Sequence, residues 1–387
     1  MAYSQPENEF SVHEIREVGE TKEKKSLDLG GLKKKKKKKK FFSKLKYFFL
    51  SIFLISALAG GYFMYHTGSA FDKMTGQSNS LFKSIVKMLP LGDNIFDILP
   101  VEDSGDSPID KIRNDELDRL NILLLGYRGV DDPNGGLLTD TMMIASLKVK
   151  TGEVALISVP RDLYVKMPNS SDNAKINEAY AHGMKNDNWQ GALSYSKQAI
   201  EDVSGLDIHY VASVDFEAFK EIIDTMGGIT VYLDEPFSEQ NQFMEGSISL
   251  PAGKNAIDGD EALLFARARF SSSDFDRAKR QQQVLVGVKE KALGLGILSN
   301  PVKIVSILDS LGNHVRTDAE LWEIKELAGF FKNADSSNVK RRVFDTSSTG
   351  LLYQSHSATG SYILLPEGGS YDEIHEACRN IFEESAQ

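Results

Sequence analysis

Apolar and polar positions divide the 387-residue chain into unlike stretches. Residues 1–32 are polar, with alternating charge and few aromatics, a composition that predicts disorder. Residues 47–65, YFFLSIFLISALAGGYFMY, run nineteen positions without a charge. That is the length of a helix crossing a bilayer, with aromatics at both ends to meet the interfaces. From about residue 120 the pattern changes to short apolar runs between amphipathic windows. The runs 121–125, 141–149, 153–159, 208–214, 229–233 and 362–365 predict strands, the second and third joined as a hairpin through Lys150, Thr151 and Gly152. Helical windows fall at 174–184, 191–204, 216–226, 274–293, 302–311, 319–331 and 371–382. Strands and helices mix without a strict βαβ period and without an internal repeat. The pattern predicts an α/β fold, a layered domain with a central mixed β-sheet flanked by helices, preceded by a single transmembrane helix.

Charge orients this arrangement. Lys33 to Lys40 is an unbroken run of eight lysines directly before the apolar stretch. The positive flank places the N-terminus in the cytoplasm and everything after His66 outside, and the lysines suit anionic membrane lipids. The run before the apolar stretch is very long and no small-residue cleavage site is clear, so an anchor is expected rather than a cleaved signal peptide. The organisation expected is a cytoplasmic tail over 1–46, the transmembrane helix over 47–65, an extracytoplasmic stalk over 66–117 and one globular domain over 118–387. The chain carries 45 Lys+Arg and 55 Asp+Glu; 14 of those bases and 7 of those acids lie in residues 1–65, which leaves the remainder 17 negative. An acidic domain is a poor nucleic-acid binder, so no nucleic-acid partner is expected. One cysteine, Cys378, excludes an intramolecular disulfide framework and a four-cysteine metal site.

Basic groups therefore matter where they concentrate. In 261–283, EALLFARARFSSSDFDRAKRQQQ, four arginines fall close together: Arg267, Arg269, Arg277 and Arg280. A first helix is expected to end near Arg267 and to release the chain extended, so that Arg267 and Arg269 share one face. Ser273 or Asp274 is expected to cap a second helix, on which Arg277, Arg280 and Gln281 are three or four apart. Two converging guanidinium forks suit phosphate, because each presents paired planar donors and keeps its charge. Three strand-end segments add polar groups: Leu138-Thr139-Asp140-Thr141, where a carboxylate could hold a hard cation or form an ordinary Asx turn; Ser158 to Asp162, where Arg161 emerges after a buried strand; and Lys175 to Tyr180. No GxSxG, Walker loop, HExxH or paired CxxC occurs, and His182 and His209 stand alone.

In order, NILLLG, LTDTMMI, SVPRD, KINEAY and ALLFARARFSSSDFDRAKRQQ resemble the LytR–CpsA–Psr family of envelope proteins over about residues 120–290. The resemblance implies a membrane-anchored phosphotransferase that moves a glycopolymer from a polyprenyl-pyrophosphate carrier to a peptidoglycan hydroxyl. It implies Mg²⁺, with Mn²⁺ as a substitute, on Asp140. It implies pyrophosphate binding by Arg161, Arg267, Arg269 and Arg277 with Gln281 beside them, and a lipid tail in an apolar pocket between sheet and helices. Arg280, in the same cluster, is expected to join the pyrophosphate site. The chain departs from the family pattern twice: Gly126-Tyr127-Arg128 lacks the Asp two residues after the glycine, and Leu138 stands where an arginine often precedes Thr-Asp. Asp131 or Asp132 is the expected substitute for the missing carboxylate, and Arg128 for the missing arginine. The general base stays unassigned. These departures also keep open a non-catalytic polyprenyl-phosphate binder or a polyprenyl-pyrophosphate hydrolase. A transcriptional regulator fits less well, since no helix-turn-helix is evident.

Overall fold

The computed structural model describes residues 107–383, apart from 131–135, 186–187, 241–245, 298–299, 301–302, 305–306, 308–310, 313 and 336–337. The expected tail, anchor and most of the stalk lie outside the described residues. Among the described residues no helix is long and apolar enough to cross a membrane.

Six strands form the main sheet. They are β1 (Arg119–Gly129), β2 (Gly136–Lys148), β3 (Val154–Ser158), β6 (Tyr210–Asp215), β11 (Val315–Thr317) and β12 (Lys340–Val343), in the order β11-β6-β1-β2-β3-β12. β1 runs antiparallel to β2 and β2 to β3, while β6 is parallel to β1 and β12 to β3. β11 closes the other edge antiparallel to β6. The sheet is mixed, as the sequence pattern predicts. This topology points the carboxyl ends of β1, β3 and β6 the same way.

Alternation along β1 separates two cores. Leu123, Leu125 and Tyr127 face one layer, with β4 (Tyr164–Lys166), β5 (Asn173–Lys175), α2 (Ala179–Gly183), α3 (Trp189–Ser204) and α8 (Asp372–Arg379). Leu120 and Ile122 face the other, with α1 (Pro108–Arg113), α6 (Asp274–Gly294) and α7 (Leu321–Asn333). A third apolar cluster joins α4 (Phe216–Thr225), α5 (Gly259–Arg267) and α6 to small strand pairs β7 (Ile229–Leu233) with β10 (Gly253–Ile257) and β8 (Phe237–Glu239) with β9 (Ile248–Leu250).

Several elements differ from the sequence reading. β1 and β2 continue through most of the Gly-rich segment read as a loop, because their backbones keep pairing out to Gly129 and Gly136. The window 174–184 is not one helix. It is the end of β5, a 3-10 turn Ile176–Glu178 and α2, since β5 pairs back onto β4. α1 lies in the segment read as stalk, yet Ile109 is buried and Ser107 donates a hydrogen bond to Glu323 on α7. Residues beyond 300 complete the same sheet through β11 and β12. A hairpin, β13 (Leu352–His356) with β14 (Tyr362–Pro366), follows, and α8 returns to β1, where Arg119 Nη1 donates to the Cys378 and Arg379 carbonyls at 3.0 and 3.2 Å.

Candidate active site

The strand ends meet at a cavity of about 440 Å³ between the sheet and α4, α5 and α6. Its depth is apolar, lined by Leu124, Met143, Ala212, Phe219, Ile222 and Val284 among others, and Arg128, Arg161, Arg267, Arg269 and Arg277 border it together with Asp140 and Asp215. Cavity lining thus carries five guanidinium groups against two carboxylates in an otherwise acidic domain.

A register irregularity places Asp140. Gly126 pairs with Thr141 but Tyr127 pairs with Thr139, so Asp140 is an extra residue in β2. In a regular strand adjacent side chains take opposite faces; the bulge lets Asp140 and Thr141 both line the cavity. Thr139 turns away and donates from Oγ1 to the Asn177 carbonyl at 3.4 Å. A Cβ on Gly126 would stand 3.0 Å from Thr141 Cβ, so the approach of β1 to the bulge is tight here.

Arg161 leaves β3 through Pro160 and meets Asp140 Oδ1 at 2.6 Å. Its Nε lies 3.6 Å from Asp162 and 3.7 Å from Asp274. Burial works against the Arg161 charge, but Asp140, Asp274 and Asp162 outweigh it and raise its pKa. Asp162 is itself held by Lys175 Nζ at 2.5 Å, which gives the KINEAY segment a supporting role behind the site.

α5 ends at Arg267 and Ala268 is extended (φ −54°, ψ 130°), so Arg267 and Arg269 both reach the cavity as expected. Ser273 caps α6 in a box with Asp276. Arg277 follows, its Nη1 on Asp274 at 2.8 Å and Nη2 on the Asp140 carbonyl at 3.2 Å. Burial lowers the Arg277 pKa against the pull of Asp274. Gln281, one turn later, lines the cavity and donates to the Ala266 carbonyl at 3.2 Å. Arg128 and Arg267 both lie over the Phe216 ring, at 5.8 and 4.5 Å.

Arg280 departs from the pyrophosphate role expected of it. It is buried, donates to the carbonyls of Phe265 (3.0 Å) and Ala268 and to Ser272 Oγ (3.0 Å), and stacks on Phe237 at 4.9 Å. Residues 277 and 281 sit about 40° apart around a helix, whereas 280 and 281 sit about 100° apart. Arg280 therefore secures the α5–α6 connection that presents the other arginines. His182 and His209 do not line the cavity: His182 stacks on Tyr195, and His209 Nδ1 accepts from the Asn121 amide at 3.0 Å.

A divalent cation finds few donors among the described residues. Asp140 is present but paired with Arg161, Asp132 and Asp131 lie outside the described residues, and no three His, Cys, Asp or Glu side chains gather as a metal site. Mg²⁺ is commonly held by one or two carboxylates and its own waters; the described carboxylates on the cavity are Asp140 and Asp215.

The sequence reading missed Asp215, which lines the cavity. Asp215 ends β6, caps α4 through the Ala218 amide (2.9 Å) and meets His314 Nδ1 at 2.7 Å. The carboxyl end of a buried strand was the signal for it.

The LytR_cpsA_psr family model matches residues 101–380. The chain belongs to the LytR–CpsA–Psr family. Among relatives, it is 36% identical over 215 residues to the polyisoprenyl-teichoic acid–peptidoglycan teichoic acid transferase TagU of Oceanobacillus iheyensis, which covers 55% of this chain and 62% of that protein. It is 25% identical over 293 residues to the like-named protein of Bacillus mycoides, covering 75% and 84%. The chain spans a little under two thirds of the length of the first of these relatives. Among solved structures, TagT bound to LIIa-WTA superposes with a TM-score of 0.54 at 21% identity, over 69% of this chain and 92% of that one. Bacillus subtilis TagV gives 0.53 at 22%, over 69% and 98%. These likenesses establish the LytR–CpsA–Psr fold for the mixed sheet and its flanking helices.

Proposed function

We propose that this protein is a membrane-anchored phosphotransferase that moves a glycopolymer from a polyprenyl-diphosphate carrier to a peptidoglycan hydroxyl. One observation carries the reading: a single cavity combines an apolar interior with five arginines, two from strand ends and three from the α5–α6 region. An isoprenoid chain fits the apolar depth, and a diphosphate fits the guanidinium groups. Names of relatives such as TagU, a teichoic acid–peptidoglycan transferase, support glycopolymer as the cargo. The apolar stretch 47–65 is the anchor in this reading, with the domain outside the cell beside its lipid donor.

Breaking a phosphoanhydride requires stabilising charge that develops on the transferring phosphoryl group and on the departing phosphate. Arg161 after β3 and Arg277 on α6 face this charge beside Asp140, and Arg128 on β1, Arg267 at the end of α5 and Arg269 just beyond it complete the set. Outside the cell the donor's own anhydride supplies the driving force.

The test is binding and transfer by the full-length chain in detergent. A polyprenyl diphosphate at a hundred times its dissociation constant should stabilise the wild type by about 2.7 kcal/mol, and Arg277→Ala should remove most of that shift. Labelled glycopolymer should appear on added peptidoglycan only with wild type. Donor cleavage that is equally fast without peptidoglycan would favour the hydrolase reading, and binding without turnover the non-catalytic one.

A further inference from the structure

The cavity arginines are held in two different ways. Arg161 and Arg277 rest on carboxylates, Asp140 at 2.6 Å and Asp274 at 2.8 Å. Arg128 and Arg267 lie over one neutral ring, that of Phe216, with guanidinium carbons 5.8 and 4.5 Å from its centroid. All three of these last side chains line the cavity.

Chain geometry brings them together. Tyr127 on β1 pairs with Asp215 on the parallel strand β6, so Arg128 and Phe216 are the next residues along two neighbouring chains. Asp215 caps α4 through the Ala218 amide, which makes Phe216 the first helical residue, at the cavity. Gly129 lets β1 pass close by: its φ is +109°, and a Cβ there would stand 3.2 Å from Asp215 Oδ2. Arg267 arrives as the last residue of α5. Phe219, further along α4, packs into the apolar cluster with α5 and α6, so the helix has an anchor besides Phe216.

An aromatic face attracts a cation through its quadrupole and brings no anion with it. A guanidinium held in this way keeps the charge and the planar donors that a phosphate requires. The ring also limits the rotamer freedom of two long side chains, which binding would otherwise have to remove. A diphosphate presents oxygens on two phosphorus centres, and two guanidiniums on one ring match that division. Leu138, where the family pattern often has an arginine, adds no charge, and Phe216 instead holds Arg128 at the same cavity.

We propose that Phe216 is a positioning residue that holds Arg128 and Arg267 as a pair for the diphosphate of the donor. The identity of that donor rests on the transferase reading above. Phe216 acts through the two arginines, by the electrostatics of its ring and not by its bulk alone.

The experiment places phenylalanines carrying one, two and three ring fluorines at position 216 of the full-length chain in detergent. Fluorine drains the ring quadrupole while nearly preserving its shape. Calorimetry then measures binding of inorganic pyrophosphate, and a parallel assay follows transfer from a polyprenyl-diphosphate-linked glycan. Affinity for pyrophosphate should fall stepwise with each fluorine, by about 2- to 30-fold over the series, the range that one to two cation–π contacts supply. Phe216→Leu should reach the bottom of that range with Tm changed little, and Phe216→Trp should retain affinity. In Arg267→Ala the dependence on fluorination should shrink, because the shorter of the two contacts is gone. Pyrophosphate affinity that is flat across the fluorinated series, in a wild type that binds and transfers, overturns the proposal alone. A stepwise fall in a protein that transfers no glycan upholds the positioning role and overturns the transferase reading. A folded wild type that does not bind pyrophosphate overturns both.

Discussion

Two arginines one turn apart on α6 have opposite destinations. Arg277 opens onto the cavity and Arg280 closes the connection behind it. Arg280→Ala would strand the carbonyls of Phe265 and Ala268 and should cost about 2–4 kcal/mol of stability, read as a lowered Tm. Arg277→Ala removes a group whose charge is disfavoured by burial, so its stability cost should be smaller while donor binding collapses. The pair of measurements separates presentation from recognition. Glycine 126 belongs at this scale as well. Gly126→Ala forces a Cβ to 3.0 Å from Thr141 and should cost about 1–3 kcal/mol, with transfer falling further than stability because the bulge that aims Asp140 moves. Sequence spacing spreads 277, 280 and 281 over about 100° of a helix. Which of them meets the ligand depends on whether the opposing wall is cavity or backbone carbonyl, and spacing carries no record of that.

Elements were legible where hydrophobic period and caps agreed. α6 begins at Ser273, one of the two caps expected, and Ala268 is extended as the Arg267-Arg269 spacing requires. β1, β2 and β3 lie where buried apolar runs place them. The bulge at Asp140 was not legible, because an inserted residue changes register through its partner strand. Short strands such as β8, β9 and β11 carry three residues each and too little pattern to be read. The apolar wall formed by α4, α5 and α6 around the cavity gives its own prediction. Ala212→Trp on β6 should fill the apolar depth, abolish binding of a long polyprenyl diphosphate, and leave inorganic pyrophosphate binding measurable by calorimetry.

At the scale of the whole molecule, charge and chain order set the behaviour. Asp318, just after β11, has its pKa raised to about 6 by burial, although it accepts from the Val211 amide at 2.7 Å. The folded state therefore holds this proton more tightly than the unfolded one. Its contribution favours folding below the unfolded value and is lost as pH rises to about 6. Asp318→Asn keeps the Val211 contact and removes the titration. The variant should be more stable than wild type above that pH, by on the order of 1–2 kcal/mol, and the gap should close on acidification, followed by urea unfolding.

Chain order has a further consequence. β12 pairs with β3 across some 180 residues of sequence, and Arg119 grips the carbonyls of α8 at the far end of the described chain. A domain carried across a membrane from its anchor-proximal end, its N-terminus staying behind, would expose β3 as an unpaired edge until its final segment emerged. Completion of the sheet is then a checkpoint in time. In the proposed exported transferase, competence would follow only once β12 had emerged, and chains cut short before β12 should aggregate rather than show partial activity.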